Sequence, residues 1–287
     1  MMPEYGIPAP GIRLSDVALG PVLLQVADVA RSLDYYQEVL GLEVLDRSGA
    51  DAALGVGART LVSLRERRGA RAVPPRGRHG LYHFAILLPD RIDLGRFLSH
   101  VRGLGMSVGL ADHLVSEAVY LRDPDGLGIE IYADRPRDAW VHREREILMT
   151  TDPLDAQVLM SAAGSTLWHG MPSGAVMGHI HLHVGDLSGA EAFYHETLGF
   201  DKTVWSYPGA LFLSADGYHH HLGLNTWGEP TASTDADARL LEWNLHLTHA
   251  EQREEVARHL KSAGYSVADG VDGWTASDPW GTQLSVT

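Results

Sequence analysis

The sequence predicts an α+β protein composed of four β-α-β-β-β modules. Three observations support this prediction: a strand-Asp-helix-Gly segment that occurs twice, a second and weaker repeat, and Asp-Pro-x-Gly turns that join short strands. With 287 residues, the chain has the length of about two domains. The modules begin near residues 20, 81, 178 and 241.

The first and third modules carry the strongest repeat, residues 26–42 and 184–200. In both copies an apolar strand is followed by an aspartate, Asp28 or Asp186, that can cap the next helix. The helix buries its Leu and Tyr residues and stops at a glycine suited to the left-handed conformation of a helix C-terminus. Each copy therefore predicts a β-α unit.

The second and fourth modules share a weaker pattern. An apolar strand begins at His83 or Trp243, a helix follows, and the pattern ends in the turns Asp123-Pro-Asp-Gly and Asp278-Pro-Trp-Gly. Short alternating runs predict further strands, at residues 60–65, 118–122, 129–132, 211–214 and 220–225.

These repeats divide the chain into four parts. We expect an N-terminal arm over residues 1–19, modules one and two over 20–134, a linker over 135–177, and modules three and four over 178–287. The linker is predicted to contain a short helix, which follows Asp152-Pro153 and ends before Gly164.

Composition and charge limit the functions of the chain. Hydrophobic residues make up 45% and charged residues 21%, as in globular proteins. The formal net charge of −14 disfavours nucleic acid as a partner, because a phosphate backbone would be repelled. The sequence has no Cys, so His and carboxylates are its strong metal ligands. No targeting or membrane-spanning segment is evident, so we expect a cytoplasmic protein without a membrane partner.

Histidines in two predicted strands are candidate metal ligands. His83 opens the first strand of module two, where a lone His is more often a packed core residue. In module three, strand alternation places His179, His181 and His183 on one face. That strand either lines a polar cleft or carries a basic, solvated surface.

A second group of candidates lies between residues 112 and 130. The group contains His113, Tyr120, the turn at residues 123–126, and Glu130. The turn reverses the chain, so Tyr120 and Glu130 lie on neighbouring antiparallel strands. Their side chains point into one cleft if both lie on the same face of the sheet. The alternative is an ordinary hairpin with a surface Glu.

Four such modules, with Leu-Gly after the first helix and Asp-Pro-Asp-Gly before a Glu-bearing strand, resemble the vicinal oxygen chelate superfamily. Within that superfamily the chain is similar to type I extradiol ring-cleaving dioxygenases of the bacterial catechol-2,3-dioxygenase kind. The resemblance covers the chain from Gly20 onward. It implies that modules pair, and that their sheets curl into two half-open barrels of mainly antiparallel strands, one of which holds a metal.

The resemblance implies three metal ligands, His83, Glu130 and His179, around Fe(II), with Mn(II) as the alternative. Pairing modules two and three brings this set together, because the other pairings place residues such as Trp243 and Ser285 at ligand positions. Modules one and four would then form the supporting pair. A dimer that supplies one module in trans would satisfy the same requirement.

The resemblance also implies residues that act on the substrate. His220 matches an acid/base position, with His219 or His221 as alternatives if the strand contains a bulge. His113 and Tyr120 match positions that hydrogen-bond the substrate. Three further aromatic residues are expected to pack in the core and receive no role: Trp205, Tyr207 and Trp227.

The function that follows is an Fe(II)-dependent extradiol dioxygenase of aromatic hydrocarbon catabolism. Its partners would be a small aromatic diol and O₂. Two alternatives remain: a glyoxalase-type metal-dependent isomerase or lyase, and a non-catalytic protein that binds an aromatic compound. The sequence does not indicate the ring substituents, and it leaves a homo-oligomer open.

Overall fold

The computed structural model describes residues 5–270 and 272–287. The first module contains β1 (Val17–Val26), α1 (Val29–Glu38), β2 (Glu43–Ser48), β3 (Asp51–Val56) and β4 (Arg59–Glu66). The second contains β5 (Gly80–Leu87), α2 (Arg91–Gly103), β6 (Gly109–Asp112), β7 (Ser116–Arg122) and β8 (Gly128–Asp134).

A connecting segment and two more modules complete the described chain. The connection contains a short 3-10 turn, then β9 (His142–Arg143), β10 (Glu146–Ile147) and α3 (Ala156–Ala162). The third module contains β11 (Val176–His183), α4 (Leu187–Ala190), a π-helical segment (Glu191–Thr197), β12 (Asp201–Val204), β13 (Ala210–Ser214) and β14 (Leu222–Asn225). The fourth contains β15 (Arg239–Leu247), α5 (Ala250–Ser262), β16 (Val267–Asp269), β17 (Trp274–Ser277) and β18 (Gln283–Val286).

The strands form two 8-stranded sheets, each drawn from both halves of the chain. One has the order β16-β17-β18-β15-β1-β4-β3-β2, and the other has the order β12-β13-β14-β11-β5-β8-β7-β6. Modules one and four therefore share one sheet, and modules two and three share the other, within a single chain. The first strands of paired modules run antiparallel, whereas the first and last strands of each module run parallel. The predicted α+β fold is confirmed.

The helix ends follow the local chemistry of the sequence. Asp28 caps α1 by accepting a hydrogen bond from the Arg31 amide, and Asp186 caps α4 through the Gly189 amide at 2.7 Å. Gly41 adopts a φ of +71°, which is the left-handed conformation expected after a helix.

The third module departs from the regular helix that the repeat predicts. After one α-helical turn the chain winds as a π-helix over Glu191–Thr197. The Thr197 hydroxyl donates to the Ala192 carbonyl at 2.7 Å, five residues earlier. A side-chain bond of this kind competes with the backbone ladder and accompanies the wider winding.

A repeated tyrosine links consecutive modules across the two sheets. The Tyr36 hydroxyl of α1 donates to Asp123 at 3.3 Å, and Tyr194 donates to Asp278 at 2.9 Å. Each aspartate also accepts backbone amides of its own turn. Helices of modules one and three are thereby tied to the turns of modules two and four.

Several predicted element boundaries are wrong. The strands β5 and β15 begin at Gly80 and Arg239, three and four residues before the predicted positions. The helix α3 begins at Ala156 and is capped by Asp155, because Asp152 instead forms an antiparallel bridge with Asp112. The strand β14 begins at Leu222, so the histidines before it lie outside regular strand.

Within the described ranges no helix is long and apolar enough to cross a membrane. The cytoplasmic location stays a prediction.

Candidate metal centre

Three buried side chains from the second sheet meet at one point. The Glu130 Oε2 lies 2.9 Å from the His83 Nε2 and 3.1 Å from the His179 Nε2. The two imidazole Nε2 atoms are 3.3 Å apart. Each residue is at most 5% exposed. The structure thus brings together the three ligands that the resemblance implies, in a single protomer.

Strand register explains why these residues meet. Ala85 on β5 is paired with His179 on β11 and with Glu130 on β8, so the three lie in one row across the sheet. His83 is two residues before Ala85 and therefore points to the same face. The small side chain of Ala85 leaves room between the two outer residues of the row.

Two bulges adjust the faces of β5 and β11. On β11 the register shifts between Met177 and His179, which leaves Gly178 unpaired. A second shift, between His181 and Leu182, leaves Tyr82 of β5 unpaired. A Cβ atom at Gly178 would lie 2.0 Å from the Tyr132 hydroxyl. Only glycine fits this bulge without displacement, so it helps to set the position of His179.

Two of the three residues, Glu130 and His83, have pKa values shifted toward the forms that bind metals. Burial acts to raise the pKa of Glu130, but the two imidazoles outweigh it and hold that pKa well below its usual range. Burial lowers the pKa of His83, against the opposing effect of Glu130. An ionised carboxylate beside a neutral imidazole is the form in which both bind a cation.

The three candidate ligands line a cavity of about 340 Å³. Other residues of its lining show how the sheet curls. Phe212 on β13 and Ala111 on β6 both line it. In a flat sheet these strands would lie about 29 Å apart. The sheet must therefore close around the cavity, as the predicted half-open barrel requires.

Apart from the ligands and three other histidines, the lining is aromatic, apolar or hydroxyl-bearing: Tyr82, Gly109, Leu110, Ala111, Tyr120, Met149, Thr150, Thr151, Tyr207, Phe212 and Trp227. Glu130 is the only Asp, Glu, Lys or Arg among the described residues that line the cavity. A buried carboxylate with no Lys or Arg beside it is costly unless a cation binds. Two imidazole nitrogens and one carboxylate oxygen, all within 4.8 Å of one another, fit a divalent metal.

Tyr120 and His113 form a hydrogen-bonded pair at the edge of the cavity. The His113 Nδ1 donates to the Thr150 carbonyl at 2.6 Å, so in neutral His113 the Nε2 accepts the Tyr120 hydroxyl proton at 2.7 Å. Burial, and then the charge of Glu130, raise the pKa of Tyr120 well above its usual range. The phenol therefore stays protonated, and its oxygen is free to accept a further hydrogen bond.

His220 lies in the cavity wall, with its ring 4.1 Å from the ring of His179. Its Nδ1 is 2.7 Å from the Nδ1 of His219, and the His219 Nε2 lies 2.9 Å from Asp134. His219 is fully buried behind His220. His221 binds Ser214 instead and does not line the cavity. Of the three adjacent histidines, His220 alone lines it.

The other histidines of β11 are buried, so this strand lines a polar cleft and not a solvated surface. His181 lines the cavity, and burial lowers its pKa well below the usual range. His183 lies behind it and bonds the Asn225 side chain at 2.6 Å. Burial lowers the pKa of His183 to about 4.

The sequence did not predict several of the residues that line the cavity. Tyr207 and Trp227, which were expected in the core, line the cavity, and Trp227 is 39% exposed. Trp205 lies outside the lining. Met149 and Thr151 come from the connecting segment, where no motif marks them. The sequence offered one signal for these residues: Trp227 stands next to Gly228 in a predicted loop, and exposed aromatic side chains often bind ligands.

A curled sheet of paired β-α-β-β-β modules around two His and one Glu defines a protein of the vicinal oxygen chelate class. The chain belongs to the glyoxalase/bleomycin resistance protein/dioxygenase superfamily, whose family model matches residues 18–131. The chain is also similar to the catechol-2,3-dioxygenase of Bacillus subtilis (strain 168), with 44% identity over 271 residues. The match covers 92% of this chain and 94% of that relative. The resemblance inferred from the sequence is confirmed.

Solved structures have the same fold at low identity. A Bacillus subtilis subsp. subtilis str. 168 protein, provisionally named a dioxygenase, has a TM-score of 0.67 at 14% identity, over 96% of this chain and 86% of that one. Glyoxalase I from Zea mays has a TM-score of 0.56 at 17% identity, over 94% and 92% of the two chains. At these identities the likeness concerns the fold alone.

Proposed function

We propose that this protein is an extradiol dioxygenase. It opens a catechol-type aromatic ring beside its two vicinal hydroxyls and incorporates both atoms of O₂. The observation that carries the proposal is the meeting of His83, His179 and Glu130 at the floor of a cavity walled by aromatic residues. The 44% identity to a catechol-2,3-dioxygenase supports the same activity.

The donor set favours Fe(II), with Mn(II) as the alternative. Two neutral imidazoles and one carboxylate on one side of an ion leave its other positions open, as in non-haem Fe(II) oxygenases. Fe(II) held there by His83, His179 and Glu130 would supply the redox chemistry for the reaction of the ring with dioxygen. The residues of the chain then have three tasks: to hold the diol, to exclude water, and to move protons.

Tyr120 and His113 orient the diol. The Tyr120 hydroxyl donates to the His113 Nε2, so its oxygen can accept a hydrogen bond from a substrate hydroxyl. The aromatic and apolar residues around the ring exclude water from it. Each reacting group is thereby held in one geometry, which is a major part of the rate enhancement in enzymes.

His220 is the proton acceptor and donor. If His219 is neutral and donates its Nε2 proton to Asp134, its Nδ1 must accept from the Nδ1 of His220. The Nε2 of His220 is then unprotonated and can take a proton from a substrate hydroxyl. The same nitrogen can return the proton after the ring opens. His219 and Asp134 are positioning residues in this scheme.

The cavity favours this activity over the alternatives. Glyoxalase-type isomerases bring a further carboxylate or Gln to the metal. Apart from Glu130, the described lining residues include no Asp, Glu or Gln. A protein that only sequesters an aromatic compound needs neither a metal site nor an acid/base histidine.

The proposal is tested by loading the purified protein anaerobically with Fe(II), then adding catechol and O₂. We expect oxygen uptake and a yellow ring-opened semialdehyde in equal amounts. His83→Ala, His179→Ala and Glu130→Ala should lose iron, whereas His220→Ala should retain iron and turn over about 100-fold more slowly or worse.

His183→Ala is the matched control, because it removes a buried imidazole from the same strand as His179 without touching the ligand set. It should retain iron. If the ligand variants keep wild-type iron content and rate, the assignment of the site is wrong. Turnover of a thiol adduct without oxygen uptake would identify an isomerase, and binding without turnover would identify a sequestering protein.

A further inference from the structure

One part of the cavity wall is a continuous group of aromatic rings. Tyr207 lies 5.7 Å from Phe212 and 6.2 Å from Trp227, measured between ring centroids. Trp227 also contacts Tyr82 at 5.9 Å and His181 at 5.6 Å. The wall is therefore mainly aromatic, and it adjoins His181 on β11.

The charge of the lining is the second observation. Among the described residues that line the cavity, the only acidic or basic side chain other than histidine is Glu130. Glu130 is a member of the ligand set, so it cannot pair with a charged substituent. No Lys or Arg lies in this lining to receive a carboxylate.

Arg122 is the cationic residue that needs to be considered, because it lies two residues beyond Tyr120 on β7. It lines an adjoining pocket and not the cavity itself. Its guanidinium donates to the carbonyls of Gly126 at 2.9 Å and Pro75 at 3.3 Å. These bonds hold the guanidinium on the side of the adjoining pocket, outside the lining of the cavity.

The size of the cavity is the third observation. An apolar cavity of about 150 Å³ holds a benzene molecule. The cavity here measures about 340 Å³. A single diol ring would fill roughly half of this volume. The metal and O₂ take part of the rest, so a substituent can be at most about as large as the ring.

We infer that the substrate is a catechol with an uncharged, apolar substituent of up to about the size of a second ring, and that catechol carboxylates are rejected. The inference rests on the proposed function and specifies its substrate class. A carboxylate in this lining would lose its hydration without gaining a cationic partner, which is a large penalty for a buried charge.

The test compares 3,4-dihydroxybenzoate with its own methyl ester, because the two differ chiefly in charge. With the Fe(II)-loaded enzyme, the kcat/KM for the ester should exceed that for the acid by about 100-fold. Binding is measured separately by quenching of Trp fluorescence in the Zn(II)-loaded protein without oxygen, and the same order of affinities is expected. 4-Ethylcatechol and 2,3-dihydroxybiphenyl test the tolerated size.

A pair of variants separates charge from size. Thr151 lies at the exposed mouth of the cavity and bonds the Tyr207 hydroxyl at 2.9 Å. The ratio of kcat/KM for the ester to kcat/KM for the acid should decrease in Thr151→Lys. The decrease should be at least tenfold larger than in the uncharged control Thr151→Gln. An equal change in the two variants, or no change in either, would contradict the electrostatic explanation.

The outcomes for the inference and for the function are distinct. If the acid and the ester are turned over, and bound, within tenfold of each other, the substrate inference is wrong while the dioxygenase assignment stands. If no catechol in the panel consumes oxygen, the proposed function fails.

Discussion

The hydrogen bond between His219 and His220 offers a sharp test of the proton-transfer scheme. In the proposed scheme, His219→Leu removes the group that accepts a hydrogen bond from the His220 Nδ1 across 2.7 Å. His219 is fully buried, so water cannot take the place of the lost acceptor. Keeping the His220 proton on a buried and unpaired Nδ1 costs about 1–3 kcal/mol, so the tautomer whose Nε2 can act as the base becomes less populated. At about 1.4 kcal/mol per factor of ten, kcat should fall roughly 5- to 150-fold.

His219→Asn is the matched control, because its side-chain oxygen can occupy the place of the imidazole Nδ1. It should restore much of kcat, although it loses the bond to Asp134. The assay is steady-state oxygen uptake with catechol after anaerobic Fe(II) loading, with separate values of kcat and KM. A change in kcat at constant KM and constant iron content would support a positioning role.

The positioning role is refuted if both variants keep the wild-type kcat while retaining iron. It is also refuted if both lose activity only in proportion to a lower iron content, since that would indicate a structural role. A two-bond ¹H–¹⁵N spectrum of the metal-free protein gives a further measurement. It should show the His220 proton on Nδ1, and a proton on Nε2 alone would contradict the scheme.

Three further predictions concern stability and the ligand geometry. Burial raises the pKa of Asp123 to about 7, so the folded state holds a proton that the unfolded chain releases above about pH 4. The free energy of unfolding should therefore fall by up to about 4 kcal/mol between pH 4 and 7 on account of this group. Urea titrations of Asp123→Asn should lack this component of the fall. If the free energies of unfolding of the variant and the wild type change with pH in parallel, the prediction is contradicted. Tyr194→Phe removes a 2.9 Å bond to the buried Asp278 and should destabilise the protein by about 1–3 kcal/mol in urea, a value near zero being the contrary result. Gly178→Ala places a Cβ 2.0 Å from the Tyr132 hydroxyl, so it should lower the free energy of unfolding by about 1–3 kcal/mol. It should also weaken metal binding in a competition titration. An unchanged metal affinity would show that the bulge does not set the ligand geometry.

Much of the local structure was predictable because short-range chemistry determines it. Asp28 and Asp186 cap helices through amides three residues away, and the Asp123 side chain organises its own turn. The start of α3 was mispredicted for the opposite reason. Asp152 has a distant partner, Asp112, which no local pattern reveals.

The candidate site was predictable in its residues but not in its surroundings. Glu130 stands within a motif, and the resemblance to the family implied His83 and His179 as its partners before the strands were placed. Tyr82 faces the cavity only because a bulge leaves it unpaired, and Met149 reaches the cavity from the connecting segment. Both depend on contacts between residues far apart in the chain.

By itself, the sequence determined the four modules, their caps and turns, and the candidates for metal donors. Hydrophobic periodicity and capping act over a few residues, and the donors are chemical groups that do not depend on the fold. Only the tertiary structure decided the register that aligns Ala85 with His179 and Glu130, and the curl that encloses the cavity. Backbone hydrogen bonds between strands depend little on the side chains, so several registers are possible for each pair of strands. Packing of the whole sheet determines which register forms.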